Sequence, residues 1–122
     1  MSPVWASLLV AVGGAAGALA RFWVGALVGA VAGTTLPVAT FAINVAGSLA
    51  IGVAAARVPS PPLAALLVTG GLGGFTTFST FSLETVRLLE AGRVAAATLY
   101  GAGSAITCIA AAAAGLALGR AA

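Results

Sequence analysis

The amino-acid sequence predicts an all-α membrane protein with four transmembrane helices. Of its 122 residues, 61% are hydrophobic and only 6% are charged, which leaves too little polar surface for a globule in water. Apolar runs occupy residues 4–32, 36–56, 63–83 and 94–118, with Arg21 as the only charged residue within them, and each is long enough to cross roughly 30 Å of hydrocarbon. We therefore expect residues 1–122 to form a single membrane domain.

The first predicted helix, 4–32, must continue through Arg21. If the helix ended there, the segment 22–32 would be only about 16 Å long, which is too short to cross the bilayer. An arginine inside a membrane helix is costly unless its side chain reaches the interface or meets carbonyls, water or an anion. Arg21 is thus either a snorkelling residue or one that attracts an anion. Gly13 and Gly17 form a GxxxG pair that lets neighbouring backbones approach closely.

The second predicted helix, 36–56, carries Asn44 near its middle. The side-chain amide can donate two hydrogen bonds without carrying a fixed charge. Asn44 therefore either joins helices to one another or contacts a ligand. We favour the ligand, because the third helix supplies a polar segment at the same depth.

The third predicted helix, 63–83, is expected to break in the middle of the membrane. Residues 70–82 contain four glycines, five hydroxyl side chains and three phenylalanines, and such a segment survives at membrane depth only when it is buried in protein or lines a wet cavity. Carbonyls freed around residues 73–77 either coordinate a hard cation such as sodium or are capped by neighbours. Phe78 and Phe81 share a helical face, where their positive ring edges either meet an anion or pack against other side chains.

In the fourth predicted helix, 94–118, polar side chains recur along one face. Tyr100 and Ser104 are followed by either Thr107 or Cys108 at spacings of three or four residues, so they form a ladder of hydrogen-bond donors. Such a ladder suits an anion. The alternative is that each hydroxyl bonds to the carbonyl one turn back, as serine and threonine often do in membrane helices.

The arginines give the chain almost no preferred orientation in the membrane. With four spans and a polar connection over residues 84–93, Arg57 and Arg120 lie on the side of the N-terminus and Arg87 and Arg93 on the opposite side. Because the balance of positive residues in short loops sets orientation, this equality predicts insertion in both directions and an antiparallel homodimer. The alternative is a single topology, set by Arg21 or by the N-terminus.

No feature of the sequence indicates an enzyme or a nucleic-acid partner. The five arginines form no basic cluster of the kind that follows phosphates. The chain has no histidine, and its only cysteine, Cys108, lies within an apolar run. Redox and transition-metal roles are therefore not expected.

Three segments, in order along the chain, resemble the motifs of the Fluc (CrcB) fluoride channels. Residues 73–81 followed by Glu84 resemble the family signature, and residues 13–22 resemble its first-helix motif. Residues 40–44 are similar to the second-helix motif, which continues through Gly47, Ser48 and Gly52. Together these motifs fall within or at the end of the first three of the four predicted spans.

The resemblance implies a fluoride-selective channel that exports fluoride passively across the cell's inner (plasma) membrane and so relieves fluoride toxicity. It also implies an antiparallel, dual-topology homodimer with two pores. A structural sodium ion at the dimer interface would be held by the backbone carbonyls of Gly73 and Thr76, with Arg21 in a supporting role. The implied fluoride pathway consists of Asn44, Phe78, Ser79, Thr80, Phe81, Tyr100 and Ser104. The chain departs from the family pattern at Cys108, where another hydroxyl is usual.

The alternatives to a channel are a drug antiporter and a membrane assembly subunit. A small four-helix proton-coupled drug antiporter needs a carboxylate embedded in the membrane, but the only acidic residues, Glu84 and Glu90, fall at or beyond the end of a predicted helix. A non-transporting membrane assembly subunit would need neither the broken helix nor the donor ladder.

Overall fold

The computed structural model describes all residues from Met1 to Ala122 and is entirely helical. Helices α1 (Pro3–Ala32) and α2 (Val38–Arg57) form the first two spans, and α5 (Val94–Ala121) forms the last. Between them lie α3, which covers residues 61–75, and α4 (Phe78–Glu90). Four stretches, Pro3–Ala32, Val38–Arg57, Pro61–Glu90 and Val94–Ala121, are long and apolar enough to cross a membrane. The predicted four-span, all-helical membrane protein is confirmed.

Helix α4 extends further than the sequence suggested. The polar connection expected over residues 84–93 is reduced to residues 91–93, where Gly92 has φ 75°. Helix α4 reaches Glu90 because Leu88 faces inward and is buried against Ala97 and Tyr100 of α5. Arg87 and Glu90 are exposed on the outer face of this amphipathic helix.

Capping residues set the starts and stops of the spans. The Ser2 hydroxyl accepts a hydrogen bond from the Trp5 amide at 3.2 Å, with Pro3 as the first helical residue of α1. Gly33 ends α1 in the left-handed region, with φ 57°. Ser60 caps α3 in the same way as Ser2, accepting from the Leu63 amide at 3.4 Å.

The third span changes its winding before it is interrupted. Helix α3 begins as an α-helical turn (Pro61–Leu63), continues as a π-helix (Ala64–Leu72) and closes with a short α-helical turn (Gly73–Phe75). Thr76 and Thr77 then have extended backbones, with φ and ψ of −83° and 158° for Thr76 and −149° and 121° for Thr77. Helix α4 restarts at Phe78.

Glycines bring the helices into backbone contact in two pairs. A Cβ at Gly13 or Gly17 of α1 would collide with backbone oxygens of α3, at Leu66 and Gly71 respectively. Helices α2 and α5 also form an extensive contact, and there a Cβ at Gly115 would collide with the Leu49 carbonyl. The predicted packing role of Gly13 and Gly17 is confirmed, since only a missing side chain permits this approach.

At each end of the helical bundle, an arginine side chain forms a hydrogen bond that joins neighbouring spans or loops. Arg57 Nη1 donates to the Ala122 carbonyl at 2.9 Å, which brings the ends of α2 and α5 together. At the opposite end, Arg93 Nη1 donates to Thr35 Oγ1 at 2.9 Å, so the α4–α5 turn lies beside the α1–α2 loop. Only 14 of the 122 residues are buried, so most of the apolar surface of one chain faces outward, as expected for a protein surrounded by lipid.

Candidate functional site

Asn44 holds the interruption between α3 and α4. Its Nδ2 donates to the Thr77 carbonyl at 2.9 Å, and its Oδ1 accepts from the Thr77 amide at 2.9 Å. A side-chain amide thus replaces the peptide partners that Thr77 lacks outside a helix. The sequence allowed Asn44 either to join helices or to contact a ligand. In the structure it joins α2 to the segment between α3 and α4. One hydrogen of Nδ2 has no partner in the chain, since Thr77 is the only residue the group contacts by hydrogen bonding.

Thr77 organises the hydroxyl groups at the start of α4. Its Oγ1 accepts from the Thr80 amide at 3.2 Å, donates to Thr80 Oγ1 at 3.1 Å and lies 3.4 Å from Ser79 Oγ. The predicted site residues Ser79 and Thr80 are therefore joined through Thr77, which the sequence reasoning did not select. The available signal was a threonine immediately before an amphipathic helix, which is a typical N-cap.

The aromatic side chains form a row from α4 to α5. The ring centroids of Phe78 and Phe81 are 5.4 Å apart, and those of Phe81 and Tyr100 are 5.2 Å apart. Phe78 is 78% exposed, whereas Phe81 packs against the buried cluster that contains Tyr100. The Tyr100 hydroxyl donates to Glu84 Oε1 at 3.3 Å. Glu84, which the sequence placed at the end of a predicted helix, is therefore half-buried and orients the phenol.

Ser104 is the polar side chain with the most unusual surroundings. It is only 4% exposed, yet its Oγ has no hydrogen-bond partner. Thr98 on the same helix shows the ordinary alternative, because its Oγ1 donates to the Val94 carbonyl at 2.9 Å. A buried hydroxyl without a partner is destabilising unless water or a ligand completes it. Ser104 is therefore the buried side chain of this protein that most clearly requires a water molecule or a ligand as hydrogen-bond partner.

An open groove of about 640 Å³ brings most of the predicted residues together. Asn44 of α2, Phe78 and Phe81 of α4 and Ser104 of α5 contribute to its wall. The complete lining is Asn44, Gly47, Ser48, Ile51, Val68, Thr69, Leu72, Gly73, Thr76, Thr77, Phe78, Phe81, Ser104, Ala105, Cys108 and Ile109. No charged residue lines the groove. Cys108, and not Thr107, is the member of the predicted ladder that reaches it.

Four predicted residues lie outside the groove wall. Ser79 and Thr80 are attached to it through Thr77, and Tyr100 contacts it through Phe81. Arg21 also lies elsewhere: its Nε donates to the Gly74 carbonyl at 3.1 Å. Arg21 therefore neither snorkels away from the helix interruption nor points into the groove, but caps a backbone carbonyl.

The interruption leaves other carbonyls without a partner. Those of Gly74 and Thr77 accept from Arg21 and Asn44. The carbonyls of Gly73 and Thr76 accept none of the chain's hydrogen bonds at the interruption. No group of three or more histidine, cysteine, aspartate or glutamate side chains is placed to hold a metal. A cation at this point would therefore be coordinated by backbone oxygens, which suit hard ions.

Four membrane-spanning helices define a multi-pass membrane protein, and an uncharged groove with several hydroxyl side chains and one amide in its wall lies beside the interrupted helix. The model of the family described as "CrcB-like protein, Camphor Resistance (CrcB)" matches residues 8–116, and the chain belongs to this family. A protein of Rhodospirillum centenum named "Fluoride-specific ion channel FluC" is 48% identical over 118 residues, covering 93% of this chain and 94% of the relative. The Paracoccus denitrificans protein of the same name is 46% identical over 116 residues, covering 93% of each chain. The resemblance noted in the sequence is thereby confirmed, and a family of ion channels agrees with the prediction that the chain is not an enzyme.

Asn44→Ala is expected to loosen the interruption. The change removes both hydrogen bonds to the Thr77 backbone, each contributing about 1 kcal/mol, so amide exchange at Thr77 should quicken by at least about tenfold. Hydrogen exchange followed by mass spectrometry measures this directly. Thr98→Val, which removes a hydroxyl bonded within α5, serves as the control and should leave Thr77 unchanged. Equal exchange in Asn44→Ala and the parent protein would contradict the holding role.

Proposed function

We propose that this protein is a fluoride-selective ion channel that lets fluoride leave the cell passively and so relieves fluoride toxicity. The observation that carries the proposal is Ser104, a buried hydroxyl without a partner on a groove with no charged residue in its wall. Fluoride is small and strongly hydrated, so a selective pore must replace its water with hydrogen-bond donors. Neutral donors can do this without holding the ion too tightly for rapid passage. The relatives' printed name, fluoride-specific ion channel, supports fluoride as the ion.

The residues of the proposed pathway supply donors of three kinds. Phe78 and Phe81 present positive ring edges, which attract an anion, and Asn44 retains one free N–H. Hydroxyl donors extend the path on either side of the rings. The proposed fluoride-contacting residues are Asn44, Phe78, Ser79, Thr80, Phe81 and Ser104. Tyr100 belongs to the proposed pathway through its contact with the Phe81 ring, because its hydroxyl donates to Glu84.

We further infer that the third helix is broken in mid-membrane in order to hold a structural sodium ion. The carbonyls of Gly73 and Thr76, which lack hydrogen-bond donors, fit a hard cation, and Arg21 supports them by occupying the neighbouring Gly74 carbonyl. Two carbonyls are too few for sodium, so a second chain related by two-fold symmetry would complete the set. Purified protein should melt at a higher temperature in sodium than in potassium or N-methylglucamine; equal melting in all three would refute the site.

The proposed assembly is an antiparallel homodimer with both orientations in the plasma (inner) membrane. Two arginines lie at each end of the helical bundle, so the positive-inside rule favours neither end for the cytoplasmic side of the membrane. The open groove and the 78% exposed Phe78 leave room for a second copy to close the pathway. A tag at the C-terminus should be accessible from both membrane faces, and access from a single face would contradict dual topology.

Purified protein in liposomes should release fluoride down its gradient and retain chloride. The expected result is fluoride efflux at least about a hundredfold faster than chloride efflux, since the larger ion is excluded by width. Ion-selective electrodes on the same liposome preparation measure both ions. Comparable chloride efflux would contradict selectivity. Absence of any ion efflux would favour the assembly subunit, and proton-driven uptake of an organic cation would favour the antiporter.

A further inference from the structure

Cys108 lies on the wall of the groove and is the only thiol of the chain. It is unpaired and half-buried on α5, and it belongs to the groove lining together with Ser104. The two residues are one helical turn apart, so their side chains stack on the same face of α5. Thr107, its neighbour in sequence, is absent from the lining.

Hydroxyl groups in the same groove point to water or an ion beside this thiol. Outside the groove, Ser82, Thr85 and Thr98 each donate to the carbonyl one turn back, at 2.8–2.9 Å, and Thr76 in the groove lining does the same at 3.0 Å. Ser48, Thr69 and Ser104 line the groove, and no side-chain hydrogen bond of the chain involves any of them.

The three hydroxyls therefore remain unsatisfied by protein. Ser104 is the decisive one, because it is 4% exposed and still unpartnered. A polar atom in that position needs an aqueous or ionic partner. Water or an ion that completes the Ser104 hydroxyl would lie in the same groove as the Cys108 thiol, one helical turn away, and this is the route by which small solutes would reach the thiol.

We propose that Cys108 is a modification site inside the ion route, and that soft metal cations and small thiol reagents close the route by binding there. The proposal rests on the proposed function, because closing is read out as lost ion flux. The ligand class is a thiophilic cation such as silver, mercury(II) or methylmercury. With methylmercury chloride, a sulfur–mercury bond forms, chloride leaves mercury and the thiol proton passes to water.

An adduct at this position removes both space and a donor from the pathway. The thiol faces a groove of about 640 Å³ that already holds the rings of Phe78 and Phe81. A bound methylmercury group fills the section one turn from Ser104 and replaces a weak S–H donor. Because the chain has no other cysteine, every thiol adduct is an adduct of Cys108.

The test uses the full chain reconstituted in liposomes, with methylmercury chloride as the probe. Mass spectrometry counts adducts, a fluoride electrode measures efflux, and each rate is divided by the untreated rate of the same variant. The expected results are one adduct per chain, loss of fluoride efflux by at least about tenfold, and slower adduct formation when fluoride is present at saturating concentration. Cys108→Ser should form no adduct and keep its own rate in the presence of the probe.

A second variant separates the position of the thiol from its presence. In Cys108→Ser combined with Thr107→Cys, the thiol moves around α5 and out of the groove lining, so the probe should not lower the efflux rate. Adduct formation on Cys108 with unchanged efflux would overturn the proposal. So would absence of an adduct in the folded protein when the denatured chain reacts. If untreated protein shows no fluoride efflux, the proposed function fails, while adduct counts still report whether the groove reaches water.

Discussion

Phe78→Ile is expected to lower fluoride efflux by at least about tenfold while leaving the protein folded. The change removes a ring edge but keeps an apolar side chain of substantial volume. A cation over a ring face gains about 0.5–2 kcal/mol, and the same ring quadrupole attracts an anion at the positive edge. A loss of about 1.4 kcal/mol in the transition state for passage corresponds to a tenfold fall in rate. Liposome efflux gives the rate, and elution from a sizing column in detergent shows whether assembly is retained.

Because Phe78 is exposed, its replacement should change the pathway without changing the packing of the chain. The ring is 78% exposed in the single chain, so its loss removes little packing. Phe81→Ile should also impair efflux, but its ring packs against Tyr100, with centroids 5.2 Å apart, and some stability should be lost with it. Phe22→Ile is the matched control, because Phe22 lies on α1 with 65% of its surface exposed and lines no part of the groove.

Efflux that is unchanged in both Phe78→Ile and Phe81→Ile would remove the rings from the mechanism. The hydroxyl and amide donors of the groove would then have to account for anion passage alone. Equal impairment in Phe22→Ile would instead indicate a general effect of losing an aromatic side chain.

Gly17→Ala is expected to destabilise the protein strongly, through the contact between α1 and α3. A Cβ at Gly17 would collide with the Gly71 carbonyl oxygen and would lie only 2.9 Å from the Phe75 nitrogen. These are backbone atoms, so no side chain can rotate away and the two helices must separate. Overpacking of this kind costs about 1–3 kcal/mol. The loss should appear as a clear fall in melting temperature and in the monodisperse yield of purified protein.

Gly29→Ala on the same helix is the matched control. A Cβ at Gly29 meets no atom within 4 Å, and alanine favours a helix by up to about 1 kcal/mol over glycine. This variant should therefore be as stable as the parent protein or slightly more so. If Gly17→Ala were as stable as Gly29→Ala, the tight approach of α1 to α3 would not describe the folded protein.

Some features of the site were predictable because they depend on residues that are close together in sequence. The polar segment 70–82 was recognisable as unsuitable for lipid, and the backbone of Thr76 and Thr77 is extended within it. The spacing of Phe78 and Phe81 predicted a shared face, and their rings are 5.4 Å apart. Local spacing does not show how far a polar helix continues, so the extension of α4 to Glu90 came from the burial of Leu88 against α5.

The use of each polar group was not predictable in the same way. The sequence allows two roles for Asn44, and its contact with the backbone of Thr77, 33 residues away, decides between them. The choice between Thr107 and Cys108 likewise depended on which face of α5 borders the groove.

The sequence by itself determined that this is a four-span membrane protein of the CrcB family with a polar segment in its third span. That much is decidable from sequence because membrane insertion depends on composition averaged over about 20 residues. Only the tertiary structure decided which polar atoms form hydrogen bonds within the chain and which have no partner there. Arg21 and Asn44 cap the carbonyls of Gly74 and Thr77, while Ser104 keeps an unpartnered hydroxyl. The physical reason is that hydrogen bonds saturate: a donor paired by one helix is lost to the pathway, and the pairing is set by helices distant in sequence.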